Sequence, residues 1–358
     1  MQAPLKLGVF GYGFIAGVHV DALHHVEGVE VAAVCGPRAA GVAAFAHARG
    51  IAQTFSDPDA MLARDDIAAV LVDTPDVTHY DLVMRAIRAG KHVFCEKPLA
   101  RTAAEAREMY AAARAAHRRT LVGFSMRWNA TVNQMSALVA QDELGEIVHV
   151  HGQSFNAGLI RSERPRFTWR TDAARTGTGI LGDLGAHYVD LTHYLLGPIA
   201  EVCADLRTVI SEVYDAEGVA HPHRVDDDTV LLLRLARGAH GALAFSRLGS
   251  VNSDYPVGRR HYLIEGRKGG LLYENGQAWR YRPGQAGEPL AETHQTSGGG
   301  HADALLGGAI AQMETFIRAI REDRDIGPTF RDGLACQEVL DAAVASSLTR
   351  AWIPVPAV

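Results

Sequence analysis

Short apolar runs alternate with helix-like segments along the first third of the chain. The apolar runs predict strands at Lys6–Phe10, Val29–Val34, Ala68–Val72, His92–Cys95 and Thr120–Phe124. Apolar residues at helical spacing predict helices between them, over His19–Val26, Ala39–Arg49, Thr78–Ala89 and Thr102–Ala116. Because solidly apolar strands need both faces of their sheet covered, the pattern predicts a parallel, doubly wound α/β domain.

The pattern of polar and apolar positions changes after Phe124. Polar residues are interleaved in the long stretch Glu146–Phe155, and hairpin-like runs predict further strands at Thr229–Leu235, Ala239–Arg247, His261–Glu265, Gly270–Glu274 and Ala278–Arg282. Two predicted helices follow, Asp303–Arg321 and Gly333–Ala351. We therefore expect two domains, residues 1–124 and residues 125–358, the second with an open sheet that has one face in solvent or against a partner.

Charge and cysteine content narrow the classes of function. The 358 residues carry a formal net charge of −6, which argues against a nucleic-acid or anionic-membrane partner, since both attract basic surfaces. The four cysteines are scattered without a C-x-x-C pair, and no apolar stretch approaches the roughly 20 residues of a membrane span. The chain enters its first strand at Leu5, which leaves no room for a signal peptide. We expect a soluble, cytoplasmic protein with reduced thiols.

A glycine-rich turn lies directly after the first predicted strand. The sequence G-Y-G-F-I-A over Gly11–Ala16 fits the G-x-G-x-x-A pattern of dinucleotide-binding turns and opens a helix. The first glycine permits the tight turn, the second lets the backbone approach a pyrophosphate, and the alanine lets the helix pack closely on its strand. A purely structural glycine turn is the alternative. The residues predicted to contact the cofactor at this helix N-terminus are Gly11, Gly13, Phe14, Ile15 and Ala16.

The loop after the second strand bears on the choice between NAD and NADP. An acid in this loop usually binds the adenosine ribose hydroxyls, but Gly36 stands at that position, with Arg38 close by. Because no carboxylate would repel a 2′-phosphate, the loop favours NADP by a small margin, with Arg38 as its contact. Arg38 equally suits a solvated position at the start of a helix, so both cofactors stay open.

Motifs spread along the chain resemble the Gfo/Idh/MocA oxidoreductases, the family of glucose–fructose oxidoreductase and inositol dehydrogenase. In chain order they are Gly11–Ala16 with His19, Thr74-Pro75-Asp76 with His79, Ala89–Val93 before Cys95–Leu99, the glycine-rich Gly177–His187, and Pro328-Thr329 before Asp332-Gly333. Asp76 departs from the family, which more often has Asn there. The resemblance extends from the first predicted strand to the last predicted helix, and so over essentially the whole chain.

The resemblance implies a fold, a cofactor site and a class of substrate. The fold would be an N-terminal Rossmann domain followed by a C-terminal α+β domain with a large open, mostly antiparallel sheet. One face of that sheet would carry helices and the cofactor-facing pocket. The opposite face would pack against a second subunit in a homodimer or homotetramer. Thr74, Pro75, His79 and Glu96 would line the cofactor, Glu96 facing its ribose or pairing with Lys97, and the Lys97–Pro98 peptide would be cis. Substrates would carry several vicinal hydroxyls, as sugars and inositols do.

Lys97, Asp183 and His187 carry the predicted chemistry. Oxidising an alcohol needs a base that takes the hydroxyl proton as the hydride leaves, and histidine has a suitable pKa, so His187 is the predicted base. Asp183 shares a face with it if Gly182–Leu195 is helical, and by resemblance binds the substrate hydroxyl or tunes the histidine. Lys97 ends the fifth strand, near the nicotinamide and substrate, where its ammonium can stabilise the reacting oxygen. We expect the three to converge at the nicotinamide; an exposed Asp–His pair and a solvated lysine are the alternatives.

Further polar and aromatic side chains are expected to bind a polyhydroxylated ring, with a structural role as the alternative for each. Together with His187 they are Arg127, Trp128, Asn156, Arg161 and Trp169. Helical spacing also makes four residues look like metal ligands: Asp183, His187, Asp190 and His193. The family resemblance argues against that reading, and we predict no metal. The run Asp226–Asp228 is expected to open a strand in a solvated turn.

The sequence therefore predicts an NAD(P)-dependent dehydrogenase or ketone reductase that acts on a CH–OH group of a sugar, cyclitol or related compound. One alternative is a glycoside-cleaving enzyme that uses tightly bound NAD transiently, as glycosidase relatives in the family do. Another is a non-catalytic NAD(P)-binding regulator. The joint presence of Lys97, Asp183 and His187 argues against the regulator, which has no need of all three.

Overall fold

The chain forms two compact units in its computed structural model, which describes residues 4–250, 259–290 and 301–358. The first unit contains Met1–Trp128 and Thr296–Leu334, and the second contains Asn129–Gln295 and Ala335–Val358. The change of unit after Trp128 lies close to the predicted boundary at residue 124, while a segment near the C-terminus returns to the first unit. The assignment of residues 1–124 to the cofactor and 125–358 to the substrate stays a prediction.

A six-stranded parallel sheet forms the centre of the first unit. Its strands are β1 (Leu5–Phe10), β2 (Val29–Cys35), β3 (Gln53–Phe55), β4 (Ile67–Val72), β5 (His92–Cys95) and β6 (Thr120–Val122). Their order, β3-β2-β1-β4-β5-β6, reverses at β1 and β4 as in Rossmann domains, so the predicted parallel, doubly wound domain is confirmed. Strand β3 was not predicted, because its residues are exposed or half-buried and form no apolar run.

A nine-stranded sheet forms the centre of the second unit, in the order β16-β15-β14-β13-β7-β12-β11-β8-β17. Its strands are β7 (Ile147–Phe155), β8 (Ile199–Arg207), β11 (Asp228–Leu235), β12 (His240–Ser246), β13 (Arg259–Gly266), β14 (Gly270–Glu274), β15 (Gln277–Tyr281), β16 (Glu288–Pro289) and β17 (Ile353–Pro354). Strands β9 (Glu212–Tyr214) and β10 (Ala220–Pro222) form a separate pair. Strands β7 and β12 pair in parallel and the other described neighbours are antiparallel, which confirms the predicted mostly antiparallel sheet.

Helices connect and cover these strands. They are α1 (Phe14–Leu23), α2 (Ala39–Arg49), α3 (Pro58–Leu62), α4 (His79–Arg88), α5 (Ala103–Ala115), α6 (Ala130–Ala140), α7 (Ala186–Leu196), α8 (His301–Arg321) and α9 (Phe330–Thr349). Helix α1 begins directly after the glycine turn, whereas the apolar periodicity placed its start at His19. Within the described ranges, no helix is long and apolar enough to cross a membrane.

Capping side chains at the N-terminus stabilise two of the helices in the first unit. Asp57 accepts a hydrogen bond from the amide of Asp59 at 3.0 Å and so caps α3, with Pro58 at its first position. Thr102 accepts one from the amide of Glu105 at 3.2 Å and caps α5. Both bonds satisfy amide groups that the first turn of a helix leaves without a partner.

Fully buried side chains of the central strands build the core of the first unit, and α8 completes it. Leu7 of β1, Leu71 of β4 and Phe94 of β5 are 0% exposed, as are Met313 and Phe316 of α8. The rings of Phe94 and Phe316 meet edge to face with centroids 6.2 Å apart. Aromatic packing between β5 and α8 therefore contributes to the core of this unit.

Helix α7 packs closely on one face of the large sheet. The Tyr188 hydroxyl donates to the carbonyl of Gln153 at 2.9 Å, and Thr192 shares a hydrogen bond with the hydroxyl of Tyr262 at 2.8 Å. A Cβ on Gly152 would lie 2.7–2.9 Å from three side chains, those of Tyr188 and Tyr262 among them. The glycine in β7 therefore lets α7, the helix that carries His187, approach the sheet closely.

Candidate active site

The glycine turn after β1 has the geometry that a pyrophosphate needs. Gly11 has a φ of +108°, and a Cβ there would lie 2.3 Å from the carbonyl oxygen of Asp73, so only glycine fits. A Cβ on Gly13 would meet nothing within 4 Å. No side chain caps α1 and its first turn holds no acid, which leaves its backbone amides and positive dipole end for an anion. The turn fits the dinucleotide predicted for it.

The three residues that follow the glycines, at the start of α1, differ in how far their side chains are exposed. Phe14 is 55% exposed, Ile15 is half-buried, and Ala16 is fully buried. Buried Ala16 joins the apolar cluster around β1 and so lets α1 pack closely on its strand. Exposed Phe14 and half-buried Ile15 remain accessible next to the glycines. The burial of Ala16 fits its predicted packing role, and the cofactor contacts of these three residues stay a prediction.

Tyr12, from the glycine turn, and Arg38 lie beside Gly36, the position where many dinucleotide-binding enzymes have an acid. A Cβ on Gly36 would lie 2.4 Å from Cε1 of Tyr12 and another on Gly41 2.9 Å from its Cε2, so the tyrosine ring fills the space beside both glycines. Arg38 donates from Nε to the Tyr12 hydroxyl at 2.9 Å, and its guanidinium lies 5.8 Å from the ring centroid. The surroundings of Gly36 therefore present the phenol of Tyr12 and the exposed guanidinium of Arg38.

Lys97 lies just after β5, in a turn whose backbone contacts the ring of His79. The Lys97–Pro98 peptide is cis, as the family resemblance implied. His79 is fully buried, and its Nδ1 and Nε2 contact the carbonyls of Pro98 at 3.0 Å and Thr74 at 2.9 Å. His79 therefore links the turn of Lys97 to the loop of Thr74 and half-buried Pro75. Its ring supports two segments predicted to contact the cofactor.

The glycine-rich segment before His187 begins with a π-helical turn, Leu181–Gly185, and continues as α7. The sequence predicted one α-helix from Gly182. The carboxylate of Asp226 anchors the start of this turn, because it accepts hydrogen bonds from the amides of Gly179 at 2.5 Å and Leu181 at 2.7 Å. A Cβ on Gly179 would lie 1.9 Å from the Asp226 carbonyl oxygen, so this anchoring requires glycine. The π turn also changes the rotation between Asp183 and His187.

The expectation of a solvated turn at Asp226–Asp228 is wrong for its first two residues. Asp226 is 8% exposed, and Asp227 is fully buried and accepts the amides of Val209 and Ile210, both at 2.8 Å. Backbone amides of distant segments take the place of water around these carboxylates. Sequence reasoning could not foresee this, since the donors lie far away along the chain.

Replacing Asp226 with asparagine should destabilise the segment that carries Asp183. The asparagine side chain keeps the shape of the aspartate but carries no charge. Its amide NH₂ group is a donor, so it would face the backbone amide of Gly179 or Leu181 without forming a hydrogen bond. We expect Asp226→Asn to lower the free energy of unfolding by about 1–3 kcal/mol, measured by urea denaturation. Asp228→Asn, at the half-buried start of β11, is the control. Equal stability of Asp226→Asn and the wild type would contradict the anchoring role.

Two arginines hold the carboxylate of Asp183. Arg170 Nε lies 3.4 Å from Oδ1 and Arg247 Nη2 lies 3.1 Å from Oδ2. Arg247 directly follows β12 and is 8% exposed. It was not predicted as a site residue from the sequence. Charge-assisted contacts on both oxygens fix the direction of this carboxylate. His187 follows in the first turn of α7 and is half-buried.

The side chains predicted to bind substrate fall into two groups. Arg127 donates to Asp332 at 2.9 Å, and Trp128 packs against the core of the first unit, so both make structural contacts there. Asn156 accepts the amide of Gly158 at 2.9 Å, at the end of β7. Exposed Arg161 and half-buried Trp169 lie on the loop that follows. The guanidinium of Arg170 lies 4.3 Å from the Trp169 ring centroid and so connects that ring to Asp183.

Two family models match successive parts of the chain. The model described as an oxidoreductase family with an NAD-binding Rossmann fold matches residues 5–124, and the GFO/IDH/MocA C-terminal domain matches residues 132–272. The chain belongs to the Gfo/Idh/MocA oxidoreductase family. The family predicted from the motifs is confirmed, and this family member is an oxidoreductase with an NAD-binding Rossmann domain.

Full-length relatives and a solved structure extend the likeness over the whole chain. The levoglucosan dehydrogenase of Pseudarthrobacter phenanthrenivorans is 27% identical over an alignment of 390 positions, gaps included, that covers 98% of each chain. The inositol 2-dehydrogenase of Rhizobium meliloti is 28% identical over 349 residues, 96% of each chain. An oxidoreductase domain protein from Kribbella flavida matches with a TM-score of 0.91 and 31% identity, over 99% of this chain and 100% of its own.

Proposed function

We propose that this Gfo/Idh/MocA protein is a dehydrogenase that transfers a hydride between a nicotinamide cofactor and a secondary alcohol or ketone carbon of a sugar, cyclitol or related polyhydroxylated compound. The observation that carries the proposal is the Asp183 carboxylate, held by two arginines, in the segment that leads into half-buried His187. The two relatives named for levoglucosan and inositol support the substrate class. Both are dehydrogenases by name, which favours net oxidation over glycoside cleavage.

In this proposal Lys97, Asp183 and His187 divide the acid–base work on one substrate. The cofactor, when bound, accepts or returns the hydride. His187 takes the hydroxyl proton in the oxidative direction and returns it in the reductive one. The Lys97 ammonium donates a hydrogen bond to the reacting oxygen and stabilises its developing negative charge. Asp183 accepts a hydrogen bond from the substrate or orients the histidine, and the two arginines keep its carboxylate in place.

We infer that the chain accepts NADP at least as well as NAD. The Tyr12 ring fills the space beside Gly36, and Arg38 is the nearby cation suited to a 2′-phosphate. Arg38→Ala should raise the Kd for NADP about fivefold, because the phosphate loses a charged contact, and leave the Kd for NAD nearly unchanged. Fluorescence titration with both reduced cofactors measures this. Wild-type binding of NAD at least about tenfold tighter than of NADP would contradict the inference.

A paired variant sharpens the test of this loop. Gly36→Asp alone would force its Cβ against the Tyr12 ring, so Tyr12→Ala must accompany it. The double variant supplies a carboxylate for the ribose hydroxyls and removes the aromatic wall. We expect its preference to shift towards NAD. Tyr12→Ala alone is the matched control, and the same preference in both variants would show that the second-strand loop does not select the cofactor.

We propose a homodimer or homotetramer that buries the face of the large sheet opposite α7. On β11 this face carries Val230 and Leu232, which are 45% and 47% exposed, while their neighbours Leu231 and Leu233 point into the core. Exposed aliphatic residues on a sheet suit contact with a second copy. Sedimentation at micromolar concentration tests this: Leu232→Asp should shift the assembly towards monomer. A monomeric wild type would contradict the proposal.

We propose that the protein works in the cytoplasm. Cys35, Cys95 and Cys336 are buried, Cys203 is half-buried, and all four are free thiols. Free thiols persist where the environment is reducing. Cell fractionation with a tagged full-length chain measures the location, and recovery of the protein outside the cytoplasm would contradict it.

A further inference from the structure

Three ionisable side chains meet next to the turn that carries Lys97. The ring of His19, on α1, has its Nδ1 3.0 Å from Oδ1 of Asp73 and its Nε2 3.7 Å from Oε1 of Glu96. Asp73 follows β4 and Glu96 follows β5, so the two carboxylates stand at the ends of neighbouring strands. The side chains of His19 and Asp73 are 2% and 0% exposed, and that of Glu96 is 12% exposed. The acid–base roles proposed above use none of these contacts.

The residues around this trio leave its side chains little freedom. A Cβ on Gly123 would lie 2.3 Å from Oε1 of Glu96, so a glycine there makes room for the carboxylate. The ring of Phe94 meets the His19 ring edge to face with centroids 4.9 Å apart. Phe94 in turn contacts Phe316 of α8, so this side of the histidine lies in the apolar core. The charges that act on His19 from the described elements around it are the two carboxylates.

The two carboxylates favour a charged histidine. Burial alone lowers the pKa of His19, but the charge and hydrogen bond of Asp73, and the charge of Glu96, outweigh it and raise that pKa above its ordinary value. Burial raises the pKa of Glu96, and His19 and Lys97 offset this only in part. Buried charges persist where opposite charges and hydrogen bonds replace the lost water. An imidazolium between the two acids meets that requirement.

Glu96 connects the trio to the lysine. Its Oε2 accepts a hydrogen bond from the backbone amide of Lys97 at 3.2 Å, while its Oε1 faces His19. We propose that His19 is a positioning residue for the hydride transfer: its imidazolium ties Glu96 to Asp73, and Glu96 holds the backbone from which the Lys97 ammonium reaches the substrate. This inference rests on the proposed function. It assigns to α1 a second task besides its predicted contact with the cofactor phosphates.

A double-mutant cycle between His19 and Lys97 tests the inference. His19→Asn keeps an amide within reach of Asp73 but is too short for Glu96. We expect it to lower kcat about tenfold, because small displacements of a reacting group are costly. The cofactor Kd should stay close to wild type, while the Tm should fall, because the buried carboxylates lose their cation. In a Lys97→Ala background the same substitution should change kcat less than about twofold, since no ammonium remains to be positioned. Equal losses in both backgrounds would overturn the proposal.

Two controls separate positioning from folding. His25→Asn alters an exposed histidine just after α1 and should leave kcat unchanged in both backgrounds. If His19→Asn fails to fold, His19→Gln, which is neutral but reaches further towards Glu96, takes its place in the cycle with the same expected pattern. A kcat loss explained in both variants by the fraction of unfolded protein at the assay temperature would mark a structural role and overturn the proposal.

A measurement without turnover keeps this inference distinct from the proposed function. Nitrogen-15 NMR of the imidazole rings should show both nitrogens of His19 protonated at neutral pH, and His19→Asn identifies the signal. A neutral ring would overturn the proposal, whether or not any polyol is oxidised. So would metal analysis that finds one divalent ion per chain in the wild type and none in His19→Asn, because the trio would then be a metal site. A charged ring without bound metal supports the bridge even if every polyol fails as substrate.

Discussion

Replacing His187 with alanine should lower kcat at least about 100-fold, because a positioned general base contributes roughly 10²–10⁴-fold to proton transfer. The Kd for the dinucleotide should stay nearly unchanged, since the cofactor contacts predicted at Gly11–Ala16 belong to another part of the chain. Steady-state turnover of the best polyol, together with fluorescence titration of the reduced cofactor, measures both quantities. A loss of kcat without a loss of affinity is the expected signature of the base.

Two further variants check the assignment of the base. His187→Gln keeps a polar side chain of similar reach without a titratable group, so it should be almost as impaired as the alanine variant. His47→Ala removes an exposed histidine of α2 and should behave like the wild type. Asp183→Asn should fall between these extremes, because it removes charge and keeps shape. Wild-type turnover in His187→Ala would mean that the base is elsewhere and that the glycine-rich segment is structural.

Replacing Lys97 with alanine should also lower kcat by about two orders of magnitude, the usual cost of losing one donor to a developing oxyanion. It should differ from the histidine variant by weakening cofactor binding as well, severalfold, because the lysine is predicted to contact both cofactor and substrate. The same assays measure the two effects. The combination of losses distinguishes Lys97 from His187, whose removal should leave affinity intact.

Lys97→Met separates the ammonium from the rest of the side chain. It keeps most of the aliphatic stem on the turn before Pro98 and removes only the charge, so it should lose nearly as much kcat as the alanine variant. Lys268→Ala removes an exposed lysine paired with Asp142 and should leave turnover unchanged. If Lys97→Met retained more than about half of wild-type kcat, the ammonium would have no part in stabilising the oxyanion.

The fold of the first unit could be predicted because its signals are local. Strand β4 is almost fully buried and reads as an unbroken apolar run, β1 is buried from Leu7 onwards, and the glycine turn marks the start of α1. Strand β3 gave no such signal, since its residues stay partly in water. The alternation of polar and apolar residues in β7 and β12 likewise predicted strands of the large sheet. Alternation does not tell a parallel pair from an antiparallel one, so the parallel pairing of β7 with β12 was not predictable.

The parts of the site that were missed depend on contacts between distant residues. Asp226 looked like one acid in a polar run, and its burial becomes evident only when the amides of Gly179 and Leu181 lie against it. Arg247 looked like the end of a strand, although it holds Asp183 across 64 positions of the chain. His19 stood out as part of a motif, but its two carboxylate partners come from separate strand ends. Periodicity reports which face of an element is buried and leaves its long-range partners undetermined.

Incubating the full-length protein with a panel of sugars and cyclitols, in the presence of NAD or NADP, tests the central claim most directly. The absorbance of reduced nicotinamide reports net hydride transfer. We predict that at least one polyol yields reduced cofactor in proportion to the polyol oxidised, and that His187→Ala abolishes the signal on the same timescale. Cleavage of a glycoside by the wild type with no net change in reduced nicotinamide, and with cofactor that never leaves the protein, would contradict the account.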